Sequence, residues 1–138
     1  MDEVEREEIR SWLEKARRDL ASARKLAAGP DPYLDTAVYH CQQAAEKAVK
    51  GFLAFSRQRV ERVHDVGALV VLAAALDPRF VPLESAGQAL TPYATEYRYP
   101  GEKLNPDTQE YEEALANAEL IYAFVISILP VEVHPGTA

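Results

Sequence analysis

The sequence predicts an all-α protein, folded as an up-and-down bundle of about five helices. Alanine, the strongest helix former, occurs 22 times in the 138 residues, against 6 glycines. Apolar residues recur at steps of three and four along most of the chain, which is the period of amphipathic helices. The length corresponds to one domain, predicted to span residues 1–130, and residues 131–138 form a C-terminal tail.

The first two predicted helices are long. Apolar positions from Ile9 to Ala27 fall on one face of a helix of about seven turns. Gly29 and the prolines at positions 30 and 32 then end it, because proline has no backbone N–H and restricts the residue before it. The second helix spans residues 34–53, and its many alanines allow a neighbouring helix to approach closely. We therefore expect the second helix to lie at the centre of the bundle.

The third and fourth predicted helices are shorter. Asp65 is a suitable N-cap for a helix whose apolar face runs from Val66 to Leu76. A fourth helix begins near Pro82, because proline is favoured in the first turn of a helix. Pro92 either bends this helix or splits it.

An irregular loop precedes the last predicted helix. Residues 98–106 show no helical period and contain two prolines and a glycine, which is typical of an ordered or functional loop. Asp107 and Glu110 have the spacing of a capping box at the start of the last helix. Apolar residues up to Leu129 cover a face broad enough for both the core and a partner, which predicts a homodimer. Pro130 ends this helix.

Composition excludes several classes of function. The net charge is −7 and the isoelectric point is near 5.0, so nucleic acid can be bound only through a local basic patch. Cys41 is the single cysteine, which excludes an intrachain disulfide and a cysteine-based zinc site; no metal or cofactor is expected. The charged N-terminus and the lack of a long apolar segment argue against export and membrane insertion. We expect a protein of the reducing cytoplasm.

The second helix contains the most unusual stretch of sequence, Tyr39-His40-Cys41-Gln42-Gln43-Ala44-Ala45-Glu46-Lys47. On a helix, His40 and Lys47 share one side, whereas Gln42 and Glu46 share another. These two polar ridges flank an alanine stripe that includes Cys41, which is best interpreted as a small buried apolar residue. The ridges either contact solvent, hydrogen-bond across helices, or contribute chemistry through His40.

The end of the second helix is basic. Arg57, Arg59 and Arg62, with His64, form the dense positive cluster of an otherwise acidic protein. Arginine forks match phosphate oxygens, so this basic patch can bind phosphates. The alternative is that cations after a helix C-terminus complement the helix macrodipole without any ligand.

A second candidate site lies where the irregular loop begins. Tyr97, Arg98 and Tyr99 follow one another, and Lys103 lies beyond them. Aromatic rings and an arginine can stack on a base and neutralise a phosphate, as in proteins that bind nucleotides or single strands. The alternative is that Tyr93 and Tyr97 face the core and that Arg98 pairs with a glutamate such as Glu96 or Glu102.

Five stretches together resemble the HEPN (higher eukaryote and prokaryote nucleotide-binding) domain family. They are residues 12–20, residues 39–51, His64-Asp65-Val66, Tyr97-Arg98-Tyr99-Pro100 and the last helix, residues 113–125. The resemblance spans roughly residues 10–129. It implies a helical bundle that dimerises and is often encoded beside a minimal nucleotidyltransferase. It also implies kinship with ribonucleases of toxin–antitoxin and defence systems.

The resemblance includes a departure from the family's catalytic motif. The family's ribonucleases use an arginine followed, after four to six residues, by a histidine. Arg98 occupies the expected place, but no histidine stands at those spacings after it. The spacing does occur between Arg59 and His64, which precede the third helix.

We therefore predict a HEPN accessory module, a dimeric protein that binds a nucleotide or RNA and a nucleotidyltransferase partner in a toxin–antitoxin-like pair. The predicted binding residues are Arg98, Tyr99, Lys103, Arg57, Arg59 and Arg62. One alternative is a metal-independent endoribonuclease toxin, with His64 as the base and Arg59 as the cation. The other alternative is a purely structural assembly partner.

Overall fold

The structure, a computed structural model, describes residues 1–101 and 105–136, and over these residues it is a helical bundle without β-strands. The five α-helices are α1 (Glu3–Ala27), α2 (Leu34–Phe55), α3 (Val66–Leu76), α4 (Glu84–Leu90) and α5 (Thr108–Ile128). The predicted all-α bundle of about five helices is confirmed.

Aspartate side chains set where two of the helices begin. Asp2 accepts a hydrogen bond from the backbone N of Glu5 at 2.8 Å, and the Glu5 carboxylate accepts one from the backbone N of Asp2 at 3.2 Å. These reciprocal bonds form a complete capping box for α1. Asp65 accepts a hydrogen bond from the backbone N of Ala68 at 3.1 Å and so caps α3, as predicted.

Prolines make the fourth helix shorter than the sequence pattern predicts. α4 has 7 residues, and the 3₁₀ helices Pro78–Leu83 and Thr91–Ala94 flank it. Pro82 and Pro92 lack the backbone N–H that an α-helix needs, so the chain passes through tighter 3₁₀ turns at both positions. Of the two predicted outcomes at Pro92, the structure shows the split.

The second helix is central, as predicted, because α2 contacts α1, α3 and α5. Its small residues allow close approach: Ala44, Ala45 and Ala48 are all fully buried. A Cβ atom added to Gly51 would stand only 2.9 Å from Cδ2 of Leu13 on α1. The backbones of α1 and α2 can therefore approach this closely only because position 51 has no side chain.

Part of the predicted C-terminal tail belongs to the core. The chain forms a 3₁₀ helix at Val131–Val133, and the Val133 side chain is fully buried. Arg10 on α1 donates a hydrogen bond from Nη2 to the carbonyl oxygen of Glu132 at 2.8 Å. The apolar side chain and this bond hold the segment after α5 against α1.

The broad apolar face of α5 is largely used inside the protein. Ile121 and Val125 are fully buried, and Tyr122, Phe124 and Ile128 are partly buried against the same core. Phe124 packs edge-on against Phe80 with ring centroids 4.9 Å apart. The width of this face is therefore explained by packing within one chain.

Three exposed apolar side chains lie together on α3. Val71, Leu72 and Leu76 are 48%, 44% and 49% exposed, on a helix that has no charged residue. A helix that is apolar all round is usually buried on every side, so the outer face of α3 is available for a partner. None of the described helices combines the length and the apolar character needed to cross a bilayer.

Replacement of Gly51 by valine tests the contact between α1 and α2. The added side chain overlaps Leu13, so we expect the free energy of unfolding to fall by about 1–3 kcal/mol. Urea denaturation followed by circular dichroism measures this change. Ala21→Val, on the exposed side of α1, is the matched control. Equal stability of the two variants would contradict the close contact.

Candidate functional site

A cleft of about 300 Å³ lies between the first half of α2 and the segment that precedes α5. Its walls bring together residues that are far apart in the sequence, and several of them are polar or aromatic. They are Asp35, Thr36, Tyr39, His40, Tyr97 and Arg98. We call this the Arg98 cleft.

Arg98 rests on an aromatic ring of α2. Its Cζ atom is 4.6 Å from the ring centroid of Tyr39 and 5.9 Å from that of Tyr99, and both distances are typical of cation–π contacts. Nη1 of Arg98 donates a hydrogen bond to the carbonyl oxygen of Ala94 at 3.0 Å. Within residues 1–101 and 105–136 its side chain makes no other hydrogen bond, so further N–H groups can serve other acceptors. The Tyr99 ring is 73% exposed, so one of its faces is accessible.

The backbone before Arg98 is anchored to α5. Tyr93 and Tyr97 donate hydrogen bonds to the Glu110 carboxylate at 2.6 and 3.1 Å. Burial, and then the bond to Glu110, raises the pKa of Tyr93, so its hydroxyl keeps its proton. Tyr97 has a φ of 66°, a left-handed conformation that costs energy for a residue with a side chain. The two bonds to Glu110 stabilise this turn and fix the direction in which Arg98 leaves it.

These tyrosines also explain why the predicted capping box of the last helix is only half formed. Asp107 accepts a hydrogen bond from the backbone N of Glu110 at 2.8 Å, as predicted. The Glu110 carboxylate does not return to the backbone of Asp107 but accepts the two tyrosine hydroxyls.

His40 is fixed by a buried carboxylate. Its Nδ1 lies 2.8 Å from Oδ1 of Asp19 on α1, and Lys47 donates a hydrogen bond from Nζ to Oδ2 of Asp19 at 2.6 Å. Asp19 is only 8% exposed, whereas the His40 side chain is 27% exposed. Of the predicted alternatives for this polar ridge, the structure shows hydrogen bonds across helices.

Asp19 is absent from the residues that the sequence singled out. The signal lies in its spacing, since it follows Ala16 by three positions and precedes Ala23 by four, both fully buried. This places a carboxylate on the buried face of α1, where it needs polar partners. Periodicity alone does not identify those partners as His40 and Lys47.

The other polar ridge of α2 is buried as a hydrogen-bonded group. Gln42, Glu46 and Lys50 are 0%, 4% and 3% exposed. Lys50 donates a hydrogen bond from Nζ to Oε2 of Glu46 at 3.0 Å, and Gln42 donates one from Nε2 to Oε1 at 3.0 Å. The carboxylate and the ammonium group compensate each other, which buried charges require.

This buried group holds the connection between α2 and α3. Nζ of Lys50 donates to the carbonyl oxygen of Glu61 at 3.0 Å, and Nε2 of Gln42 donates to that of His64 at 3.2 Å. Nδ1 of His64 lies 3.1 Å from Oε2 of Glu46, although the His64 side chain is 68% exposed. The conformation of residues 61–64 therefore depends on side chains of α2.

The basic patch is less positive in three dimensions than in the sequence. Arg57, Arg59 and Arg62 are exposed, and Arg57 donates a hydrogen bond from Nε to Oε2 of Glu5 at 3.1 Å. A groove of about 350 Å³ contains two of these arginines beside three carboxylates. Its charged walls are Glu5, Glu8, Arg57, Arg59 and Glu61. These carboxylates reduce its attraction for a phosphate.

The structure separates the two sets of predicted binding residues. Arg98 contacts Tyr39 in the first half of α2, whereas the basic patch follows Phe55 at the end of the helix. With a rise of 1.5 Å per residue, these ends of α2 are roughly 25 Å apart. Arg98 lines the cleft and contacts the Tyr99 ring beside it, and Lys103 falls outside the described residues.

Cys41 does not line the Arg98 cleft. Cys41 is fully buried, and burial raises the pKa of its thiol to about 12, so the thiol stays protonated and unreactive. In the described part of the chain, no three His, Cys, Asp or Glu side chains lie together as a metal site.

Comparison with known proteins identifies relatives along nearly the whole chain. The family model described as the HEPN domain matches residues 9–129. The crystal structure of TT1696 from Thermus thermophilus is similar, with 34% identity, a TM-score of 0.69, and coverage of 88% of this chain and 98% of that chain. The crystal structure of ST0689, an archaeal HEPN homologue, shows 27% identity, a TM-score of 0.66, and coverage of 86% and 95%. No curated protein matches significantly.

A double-mutant cycle tests the buried pair of α2. Glu46→Leu leaves the Lys50 ammonium group buried without its partner, so we expect a loss of about 3–5 kcal/mol in the free energy of unfolding. Combining it with Lys50→Met removes the unpaired charge, and most of the loss should be recovered. Urea denaturation of the wild type, both single variants and the double variant measures this coupling. A double variant as unstable as Glu46→Leu would contradict it.

Proposed function

The chain belongs to the HEPN domain family, and on that basis we propose that it is a dimeric accessory module that binds a nucleotide or an RNA segment in the Arg98 cleft. One observation supports this site above all: the Arg98 guanidinium group lies over the Tyr39 ring at a cleft of about 300 Å³. That volume is at the lower end of the range for small-molecule sites. The arginine supplies positive charge at this cleft of an acidic protein.

The chemistry of the cleft suits a nucleotide in two ways. The guanidinium group of Arg98 can bind two phosphate oxygens at once, while Tyr39 supports it from behind. The exposed ring of Tyr99 offers a surface on which a base can stack. Asp35 also lines the cleft and opposes the phosphate charge, so we expect weak binding with a shallow dependence on salt.

The dimer and the protein partner form the second part of the proposal. The outer face of α3, around Leu72, is the exposed apolar surface that a second copy of the chain would cover. The resemblance to HEPN sequences supports a minimal nucleotidyltransferase as the protein partner, as in toxin–antitoxin-like pairs. If no nucleotide binds, the structural alternative of an assembly partner replaces the binding function.

Arg98→Ala tests the nucleotide site. Losing one charge-assisted hydrogen bond costs about 1.5–3 kcal/mol, so affinity should fall about tenfold or more while helical content stays constant. Calorimetry with ATP, GTP and a short single-stranded RNA measures the affinity. Arg79→Ala, an exposed arginine paired with Asp77, is the matched control. Absence of binding by the wild type at millimolar ligand, or equal binding by Arg98→Ala, would refute the assignment.

Leu72→Glu tests the dimer. The wild type should have the mass of two chains by light scattering at micromolar concentration. The variant should have the mass of one chain, because a buried unpaired carboxylate is strongly unfavourable at an apolar interface. Leu120→Glu, at a similarly exposed leucine of α5, is the comparison. Dissociation by that change alone would place the interface on α5, and a monomeric wild type would refute the dimer.

A further inference from the structure

We propose that the Arg98 cleft selects a nucleotide with a terminal phosphate monoester, held jointly by Arg98 and His40. This inference rests on the nucleotide-binding function proposed above and names the ligand class. It begins from the fact that Arg98 and His40 line one cleft although they are 58 positions apart in the sequence. The Tyr39 ring contacts both: it is 4.6 Å from the guanidinium carbon and meets the imidazole edge-on at 5.6 Å between centroids.

The geometry around His40 leaves one ring nitrogen for a ligand. Nδ1 faces the buried Asp19 carboxylate at 2.8 Å, so this nitrogen already has a partner inside the protein. A phosphate at the opposite nitrogen, Nε2, would give the ring an acceptor on each side, and an imidazole that donates from both nitrogens can serve both acceptors. Nε2 has no hydrogen-bond partner among residues 1–101 and 105–136, and the side chain is 27% exposed at the cleft.

Charged side chains near His40 come from three parts of the fold in the described residues. Asp19 comes from α1, Lys47 and Asp35 come from α2, and Arg98 comes from the segment before α5. Lys47 contacts the second oxygen of Asp19 and thereby fixes the carboxylate toward His40. Arg98 and His40 line the same cleft, so an anion bound there can contact both side chains.

The number of acceptor oxygens distinguishes the two kinds of phosphate. The Arg98 fork occupies two oxygens, and Nε2–H of His40 needs a third. A terminal phosphate monoester has three free oxygens and nearly two negative charges at neutral pH, whereas an internal phosphodiester has two free oxygens and one charge. The Asp35 carboxylate on the same wall disfavours the weaker anion further. The cleft therefore favours the monoester.

Two ligands contain this chemistry, a free mononucleotide and the phosphorylated end of an RNA strand. In both, the base next to the terminal phosphate can stack on the exposed ring of Tyr99. Both carry a phosphate monoester on a nucleoside. One experiment with both kinds of probe distinguishes the mononucleotide from the RNA end.

The experiment is calorimetry at pH 6.5 with AMP, 3′,5′-cyclic AMP and adenosine as probes. AMP should bind about tenfold more tightly than cyclic AMP, whose phosphate is a diester, and adenosine should bind least. A six-residue RNA with a 5′-phosphate and the same RNA with a 5′-hydroxyl complete the series. Tighter binding by phosphorylated RNA than by AMP identifies a strand end, and the reverse order identifies a mononucleotide.

His40→Gln is the decisive variant. Glutamine can still donate a hydrogen bond to Asp19, so the fold should be retained, but it supplies no positive charge. AMP binding should weaken about tenfold while cyclic AMP binding stays nearly constant, which removes the preference. His134→Gln, at the segment after α5, is the matched control and should behave as the wild type.

The dependence on pH gives a readout that a purely structural role for His40 would not change. The phosphate of AMP stays mainly dianionic from about pH 6.5 to 8.5, so a change of affinity over that range comes from the protein. Raising the pH over that range should weaken AMP binding several-fold in the wild type and leave His40→Gln unchanged.

The failures of this inference and of the proposed function are distinguishable. Equal affinity of the wild type for AMP and cyclic AMP, or for the two RNAs, overturns the selection of a monoester but leaves nucleotide binding intact. A preference that survives in His40→Gln overturns the role of His40. Absence of binding by every probe overturns the proposed function itself.

Discussion

The close packing of α1 against α2 is the constraint on which the rest of the structure depends. Because residue 51 is glycine, Cδ2 of Leu13 can lie 2.9 Å from the position that a Cβ atom would occupy there. The same approach brings Asp19 within hydrogen-bond distance of two side chains on α2, at 2.8 Å from His40 and 2.6 Å from Lys47. The geometry of the imidazole at the Arg98 cleft is therefore a consequence of core packing some three turns away along α2.

The buried charges of α2 fix a conformation rather than add net stability. Burying Glu46 and Lys50 costs solvation energy that their mutual attraction only partly offsets. Both also bind groups of the connection to α3, and Gln42 assists them. We infer that this cluster holds residues 61–64 in one conformation through its hydrogen bonds. Apolar side chains at the same positions would have no donors for the backbone carbonyl groups of these residues.

Local signals predicted much of the fold, whereas the site depended on contacts between distant segments. The caps at Asp65 and Asp107 and the break at Pro92 follow from backbone chemistry within a few residues, and the structure contains all three. The stacking of Arg98 on Tyr39 joins positions 59 apart, which periodicity cannot pair. Arg98 is far from the basic patch because the two segments lie at opposite ends of α2. Packing between helices, which local sequence does not reveal, sets these positions.

The double use of Glu110 has an evolutionary consequence. Its carboxylate accepts a hydrogen bond from the Tyr97 hydroxyl before the loop. Its backbone N–H donates one to the Asp107 carboxylate after the loop. Residues on both sides of the loop are therefore bonded to the first turn of α5. Both attachments lie outside the stretch between them, so changes at exposed positions of that stretch leave the attachments in place. Relatives with the same bundle can therefore accumulate different exposed residues in this stretch while the start of α5 keeps its anchors.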